Sequence, residues 1–182
     1  MDNGFVMRRV IIVLVSLFCF VSGAAAQDAS GHSVMASWSY FGFNSTYSKN
    51  SDKSTFGTVC LKYEYAFNRF AAVNATVGYS HSWFREGTDP LRAYPKKDNS
   101  VMALVGCSST WFSRGCMSLG SAVSIGADTR IQKNDRGSYT TLGLAGQLDA
   151  IDARFTFGKA FLDASAGWGS LGCVRIGAGY RF

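Results

Sequence analysis

Ten ionisable residues set the chemistry open to this chain: Lys62, Glu64, Asp128, Arg130, Asp149, Asp152, Arg154, Asp163, Arg175 and Arg181. Each falls on the small-or-polar side of a two-residue alternation, among Gly, Ser and Thr, while the other side is apolar. Paired carboxylates can serve as general acid and base. Here they are spread over several segments and define no single cleft, so a catalytic set is not expected. Five cations face five anions. Gathered inside a narrow closed sheet they must pair with one another, since a lone buried ion costs several kcal/mol. The expectation is a polar network that fills the interior, with small Gly and Ser neighbours leaving room for long Arg and Lys side chains.

Eight segments carry the alternation that positions these residues. They are about His32–Phe43, Phe56–Phe67, Phe70–Phe84, Ser100–Phe112, Cys116–Arg130, Ser138–Phe157, Phe161–Gly169 and the terminal run ending at Phe182. Val59, Leu61, Tyr63, Tyr65 and Phe67 form one face of the second, and Thr58, Cys60, Lys62, Glu64 and Ala66 the other. The fourth is fairly apolar on both faces; Val101, Ala103, Val105 and Trp111 are assigned outward. In the sixth, Leu142, Leu144 and Leu148 point out, and then Ile151, Ala153, Phe155 and Phe157 do. That slip of one residue near Ala150 predicts a β-bulge. Long polar connections over Asn44–Thr55, Arg85–Asn99 and Ile131–Gly137 alternate with tight ones at Asn68-Arg69, Ser113-Arg114-Gly115 and Gly158-Lys159-Ala160. Short Ser170-Leu171-Gly172 falls on the long-loop side. Aromatics sit at both ends of the apolar face: Tyr63, Tyr65, Phe67, Trp111, Tyr180 and Phe182 at one, Trp38, Tyr40, Trp83 and Trp168 at the other. An apolar face bounded by two aromatic belts, over a polar interior, predicts an all-β, eight-stranded antiparallel up-and-down transmembrane β-barrel.

The front of the chain agrees. Arg8 and Arg9 precede the apolar run Val10–Val21, and Ala24-Ala25-Ala26 supplies a cleavage site, so residues 1–26 read as a cleaved signal peptide and 27–182 as the barrel domain. The apolar run is shorter than the roughly 20 residues of a spanning helix. The composition is 47% hydrophobic and 14% aromatic with 20 Gly and 2 Pro, which suits strands better than helices. The net charge of +6 is scattered rather than clustered, so nucleic acid is not an expected partner.

Other chemistry finds little support. His81 precedes Ser82, but neighbouring strand residues face opposite sides and cannot form a Ser–His pair by simple alternation. No metal-spaced Cys/His cluster, phosphate loop or dinucleotide fingerprint is present, so neither a metal nor a cofactor is expected. Cys60, Cys107, Cys116 and Cys173 are read as free thiols, although their compartment permits disulfides and several pairings stay open.

The ending Arg175, Gly177, Tyr180 and Phe182 resembles the signal read by the barrel-assembly machinery of Gram-negative outer membranes. Gln147–Phe182 is similar to the closing part of the small outer-membrane β-barrel domain proteins, with Gly158-Lys159, Gly167-Trp168-Gly169, Gly172 and the final Gly-Tyr-Arg-Phe as the matching motifs. Ser165 stands where that family often carries glutamate. The resemblance implies an outer-membrane address, partnership with outer-membrane lipids and assembly by that machinery, and the even strand count with tight turns on one side and longer loops on the other puts both termini in the periplasm. It implies no activity. A non-enzymatic structural or surface-interaction role through external loops is the leading expectation. Arg85–Asn99 is the segment that could meet lipopolysaccharide or a surface partner. A narrow diffusion channel is the alternative, and an outer-leaflet lipid-modifying enzyme using His81 the remote one.

Overall fold

The computed structural model describes residues 31–39, 53–86, 94–134 and 137–182. They form eight strands: β1 Gly31–Ser39, β2 Lys53–Ala66, β3 Ala71–Glu86, β4 Tyr94–Arg114, β5 Met117–Asn134, β6 Gly137–Phe157, β7 Ala160–Gly169 and β8 Val174–Arg181. Each pairs antiparallel with the next, and β8 pairs with β1 to close the barrel. Alternation explains why these residues make strands, and closure leaves no sheet edge through the middle of the molecule. The expected leader at 1–26, Tyr40 and most of the first long connection lie outside the described residues.

The alternation sorts the side chains as the sequence predicts. Thr58, Cys60, Lys62 and Glu64 are buried while Val59, Leu61 and Tyr63 are exposed. On β3, Asn74, Thr76, Ser80 and Ser82 are buried between exposed Val73, Val77 and Tyr79. Val101 and Val105 face out, and Met102 and Leu104 face in. Among the described residues, 20 buried side chains are polar or charged and only ten are hydrophobic, the reverse of a water-soluble core. The ends of the outer face carry aromatic rings. His32 Nδ1 lies 2.5 Å from the Tyr63 hydroxyl, Tyr65 meets Phe67 edge-on at 5.3 Å, and Tyr180 meets Phe182 at 5.7 Å. These lie at the end with the termini and tight turns, called here the turn end. Trp38, Tyr139 and Trp168 are exposed toward the opposite, loop end.

Two long connections are shorter than the sequence suggests. Arg85 pairs with Pro95, Glu86 with Tyr94 and His81 with Asn99, so most of Arg85–Asn99 is ladder rather than loop. Likewise Ile131 pairs with Thr140 and Asn134 with Gly137, and Lys53, Ser54 and Thr55 belong to β2. A hairpin satisfies its own backbone hydrogen bonds whatever its side chains are. Polar composition marks the absence of an apolar surround, not the absence of a strand.

The bulge near Ala150 is present, between Asp149 and Ile151 in the β6–β7 ladder. A second extra residue, Trp111, interrupts the β4–β5 ladder between Thr110 and Phe112. Ser121 of β5 lies between them and joins them. Its hydroxyl donates to the Ala150 carbonyl at 2.9 Å and accepts from Trp111 Nε1 at 3.2 Å. On an apolar outer face a bulge carbonyl without a partner is costly, so this one hydroxyl satisfies what the bulge exposes. Replacing Ser121 with Ala should lower stability by about 1–2 kcal/mol. Urea unfolding in micelles measures it, with Ser121→Thr expected to recover most of the loss.

Candidate functional site

Nine of the ionisable residues selected from the sequence lie inside in three groups, and Asp98 of β4 is buried as well. The largest lies toward the turn end. Lys62 and Glu64, two apart on β2, share a face, and Lys62 Nζ is 3.2 Å from Glu64 Oε2 and 3.9 Å from Asp152 Oδ2. Arg154 Nη1 donates to Glu64 Oε1 at 2.7 Å and its Nε to Asp163 Oδ2 at 3.2 Å. Arg154 and Asp163 are direct cross-strand partners, and the guanidinium also stacks on the Phe161 ring at 4.4 Å. The Ala150 bulge is what makes this group possible. Gln147 and Asp149 point inward on odd numbers, so unbroken alternation would turn Asp152 and Arg154 to the outer face. The extra residue resets the phase and brings both inside.

The second group is central. The Arg175 guanidinium of β8 binds the Asp149 carboxylate, its Nε donates to Ser165 Oγ at 3.1 Å, and Gln147 Nε2 donates to Asp149 Oδ1 at 2.8 Å. Ser165, which replaces the glutamate common in the resembled family, thus meets the arginine with a hydroxyl. The third group is toward the loop end: Arg130 Nε donates to Asp128 Oδ2 at 2.6 Å, and Ser100 Oγ donates to the other carboxylate oxygen. Of the ten sequence-selected residues, nine therefore sit in these groups. Arg181 stands apart, exposed at the turn end. There it joins Arg69, Glu64, Asp152 and Arg154 in lining an open vestibule of about 480 Å³.

Sequence reasoning missed an apolar layer among the ions, with Met102 directly across from Asp128. Cys60, Met102, Leu104, Ala145 and Leu171 form an apolar cluster inside the lumen. Leu171 comes from the β7–β8 turn, yet it is only 1% exposed because that turn folds inward. Its N–H donates to Gln147 Oε1 at 3.0 Å, its carbonyl accepts from Ser39 Oγ at 2.5 Å, and the Gly172 carbonyl accepts from Gln147 Nε2 at 3.0 Å. The space it fills exists because β3 carries Gly78, where a Cβ would lie 2.9 Å from a Leu171 methyl. The signals were an apolar residue between turn glycines and the two-sided apolarity of β4.

The remaining candidates are not brought together. His81 Nδ1 is 2.7 Å from Asn99 Oδ1, which also accepts from the Tyr79 hydroxyl at 3.0 Å, while Ser82 is buried on the opposite face. The four cysteines of the barrel are separate thiols. Among the described residues no cluster of three or more His, Cys, Asp or Glu side chains could hold a metal. In the terminal motif, Arg175 and Gly177 face the lumen, and Tyr180 and Phe182 are exposed outward.

The sequence matches no protein-family model and no curated protein. Among solved structures, the chain is similar to Ail, the attachment invasion locus protein of Yersinia pestis, in complex with the heparin analogue sucrose octasulfate. The two share 20% identity over 84% of this chain and 97% of that one, with a TM-score of 0.47. It is also similar to the N-terminal β-barrel domain of Pseudomonas aeruginosa OprF, at 11% identity over 85% and 100% of the two chains and a TM-score of 0.47.

The ion groups make a directional prediction. Arg154→Met should leave Glu64 and Asp163 buried without their main partner and cost about 3–5 kcal/mol. Adding Glu64→Gln to that variant should recover part of the loss, as read from urea unfolding of the single and double variants.

Proposed function

We propose that the chain is a small integral barrel of the Gram-negative outer membrane, with both termini periplasmic and a filled lumen, acting at the cell surface rather than as an enzyme. The observation that carries this reading is the inversion of polarity: a closed sheet with its ions paired inside and an apolar band outside, bounded by aromatic rings. Such a band is stable against acyl chains and costly against water. The terminal Arg175, Gly177, Tyr180 and Phe182 are proposed as its assembly signal.

The surface role rests on the barrel's uneven rim. β6 pairs with β7 only as far as Gln147 with Gly169, and then runs on to Gly137. Beyond that point, among the described residues, it is paired with β5 alone, so the described parts of β3 to β6 extend past the last rung of β7. Gly146 exchanges hydrogen bonds with Ser170 across the last rung. By alternation, Ser138, Thr140, Leu142 and Leu144 then direct their N–H and C=O groups to the open edge. Leu144 is 89% exposed and Leu142 75%. An open strand of this kind binds an extended segment of a partner by adding it to the sheet. On the outer face of the same wall, Lys97 lies directly across from Lys133, both exposed, which suits contact with anionic headgroups or glycans.

Fractionation tests the location: a detergent-extracted band that changes gel mobility on boiling is expected, and release without detergent would contradict it. For the surface role, cells displaying the barrel should adhere to immobilised host proteins more than cells without it. Thr140→Pro removes an edge-facing N–H and should abolish the difference while leaving heat-dependent mobility intact. Equal adherence with and without the protein would contradict the role.

A further inference from the structure

We infer that the β7–β8 turn, Ser170–Gly172, is a displaceable stopper, and that the barrel conducts small hydrophilic solutes when the turn leaves the lumen. The inference is independent of the surface role and needs only the barrel itself. From the turn end the lumen is already open as the vestibule down to Glu64, Asp152 and Arg154. From the loop end it is closed by an apolar layer of Leu171, Met102, Leu104, Cys60 and Ala145. A narrow apolar constriction excludes water and so blocks ions and polar solutes. Of these five residues, only Leu171 is not on a strand of the barrel wall. The turn is held by hydrogen bonds with the side chains of Gln147 and Ser39, by the rung between Ser170 and Gly146 and by packing, with no covalent tie. Glycines flank it at both hinges: Gly169 has φ +150° and Gly172 φ +111°, conformations that L side chains rarely adopt.

The latch also reaches the ions. Gln147 holds the turn and, through the same Nε2, Asp149, which is paired with Arg175. Release of the turn therefore frees a polar amide beside a paired carboxylate, and the groups beneath the stopper, Asp149 and Arg175, are ones that water can solvate. The turn and the central ion pair act on one side chain, which gives the stopper a definite closed position.

Cys60 is a built-in reporter. Its sulfur lies 3.6 Å and a Leu171 methyl 2.9 Å from the position a Gly78 Cβ would take, so both side chains occupy the space that this glycine leaves. The test uses a barrel whose only thiol is Cys60, made by Cys107→Ser, Cys116→Ser and Cys173→Ser, and a cationic methanethiosulfonate reagent. In folded protein, verified by heat-dependent mobility, Leu171→Gly should raise the labelling rate on the order of tenfold or more, since reactivity follows the open population. Gln147→Leu keeps the apolar plug and removes the latch, and should raise it in the same direction. In planar bilayers both variants should give reproducible conductance well above that of the parent. Oxidising Leu171→Cys onto Cys60 should silence it. Unchanged labelling in both folded variants, or faster labelling without conductance, would overturn the proposal.

Discussion

The backbone hydrogen bonds between β8 and β1 are the constraint on which everything else in this molecule rests. An open eight-stranded sheet would present two rows of unpaired N–H and C=O groups, which no apolar surround can accept. Closing the sheet removes them and creates an inside that side chains largely fill. Once that inside exists, each charge on the inward face needs a partner within reach. Lys62, Glu64, Asp152, Arg154 and Asp163 find one another across β2, β6 and β7, and Arg175 reaches Asp149 from β8. The paired charges tie non-adjacent walls together and so reinforce the closure that brought them into contact.

Irregularities do as much as regularity here. The extra residue at Ala150 turns the second half of β6 by one phase, and that alone decides whether Arg154 faces Glu64 or the outside. Its cost is a carbonyl on the outer face, offset by the Ser121 hydroxyl, which also steadies Trp111 at the neighbouring bulge. At the loop end the turn at Leu171 performs a similar service for the lumen. Gly78 and Ala145 leave room on the wall there, and a side chain from the turn completes the layer with Met102 and Leu104.

Most of the barrel is legible in the sequence because a strand with one polar and one apolar face must alternate, and the eight alternating runs correspond to the eight strands. The Ala150 bulge is legible for the same reason, as a break in phase from Leu148 to Ile151. The lengths of the strands beyond the apolar band are not, because a hairpin exposed as at Lys97 and Lys133 obeys no polarity rule. Pairing partners are only partly legible. Parity puts Arg175 and Asp149 on one face, but register, height and barrel tilt decide that they meet while Arg181 stays apart. The inward fold of Leu171 depends on Ser39 of β1, Gly78 of β3 and Gln147 of β6 at once, and no local pattern encodes that.

The account stands or falls on which medium each face meets. Nitroxide labels at Leu61, Val77 and Ile125, read by collision with dissolved oxygen and with a polar nickel chelate in lipid bilayers, address it directly. Oxygen-rich, chelate-poor environments at all three are predicted, with the opposite or strongly immobilised signals at Thr58, Thr76 and Ser124. Water at the first set and acyl chains at the second would contradict the assignment of inside and outside.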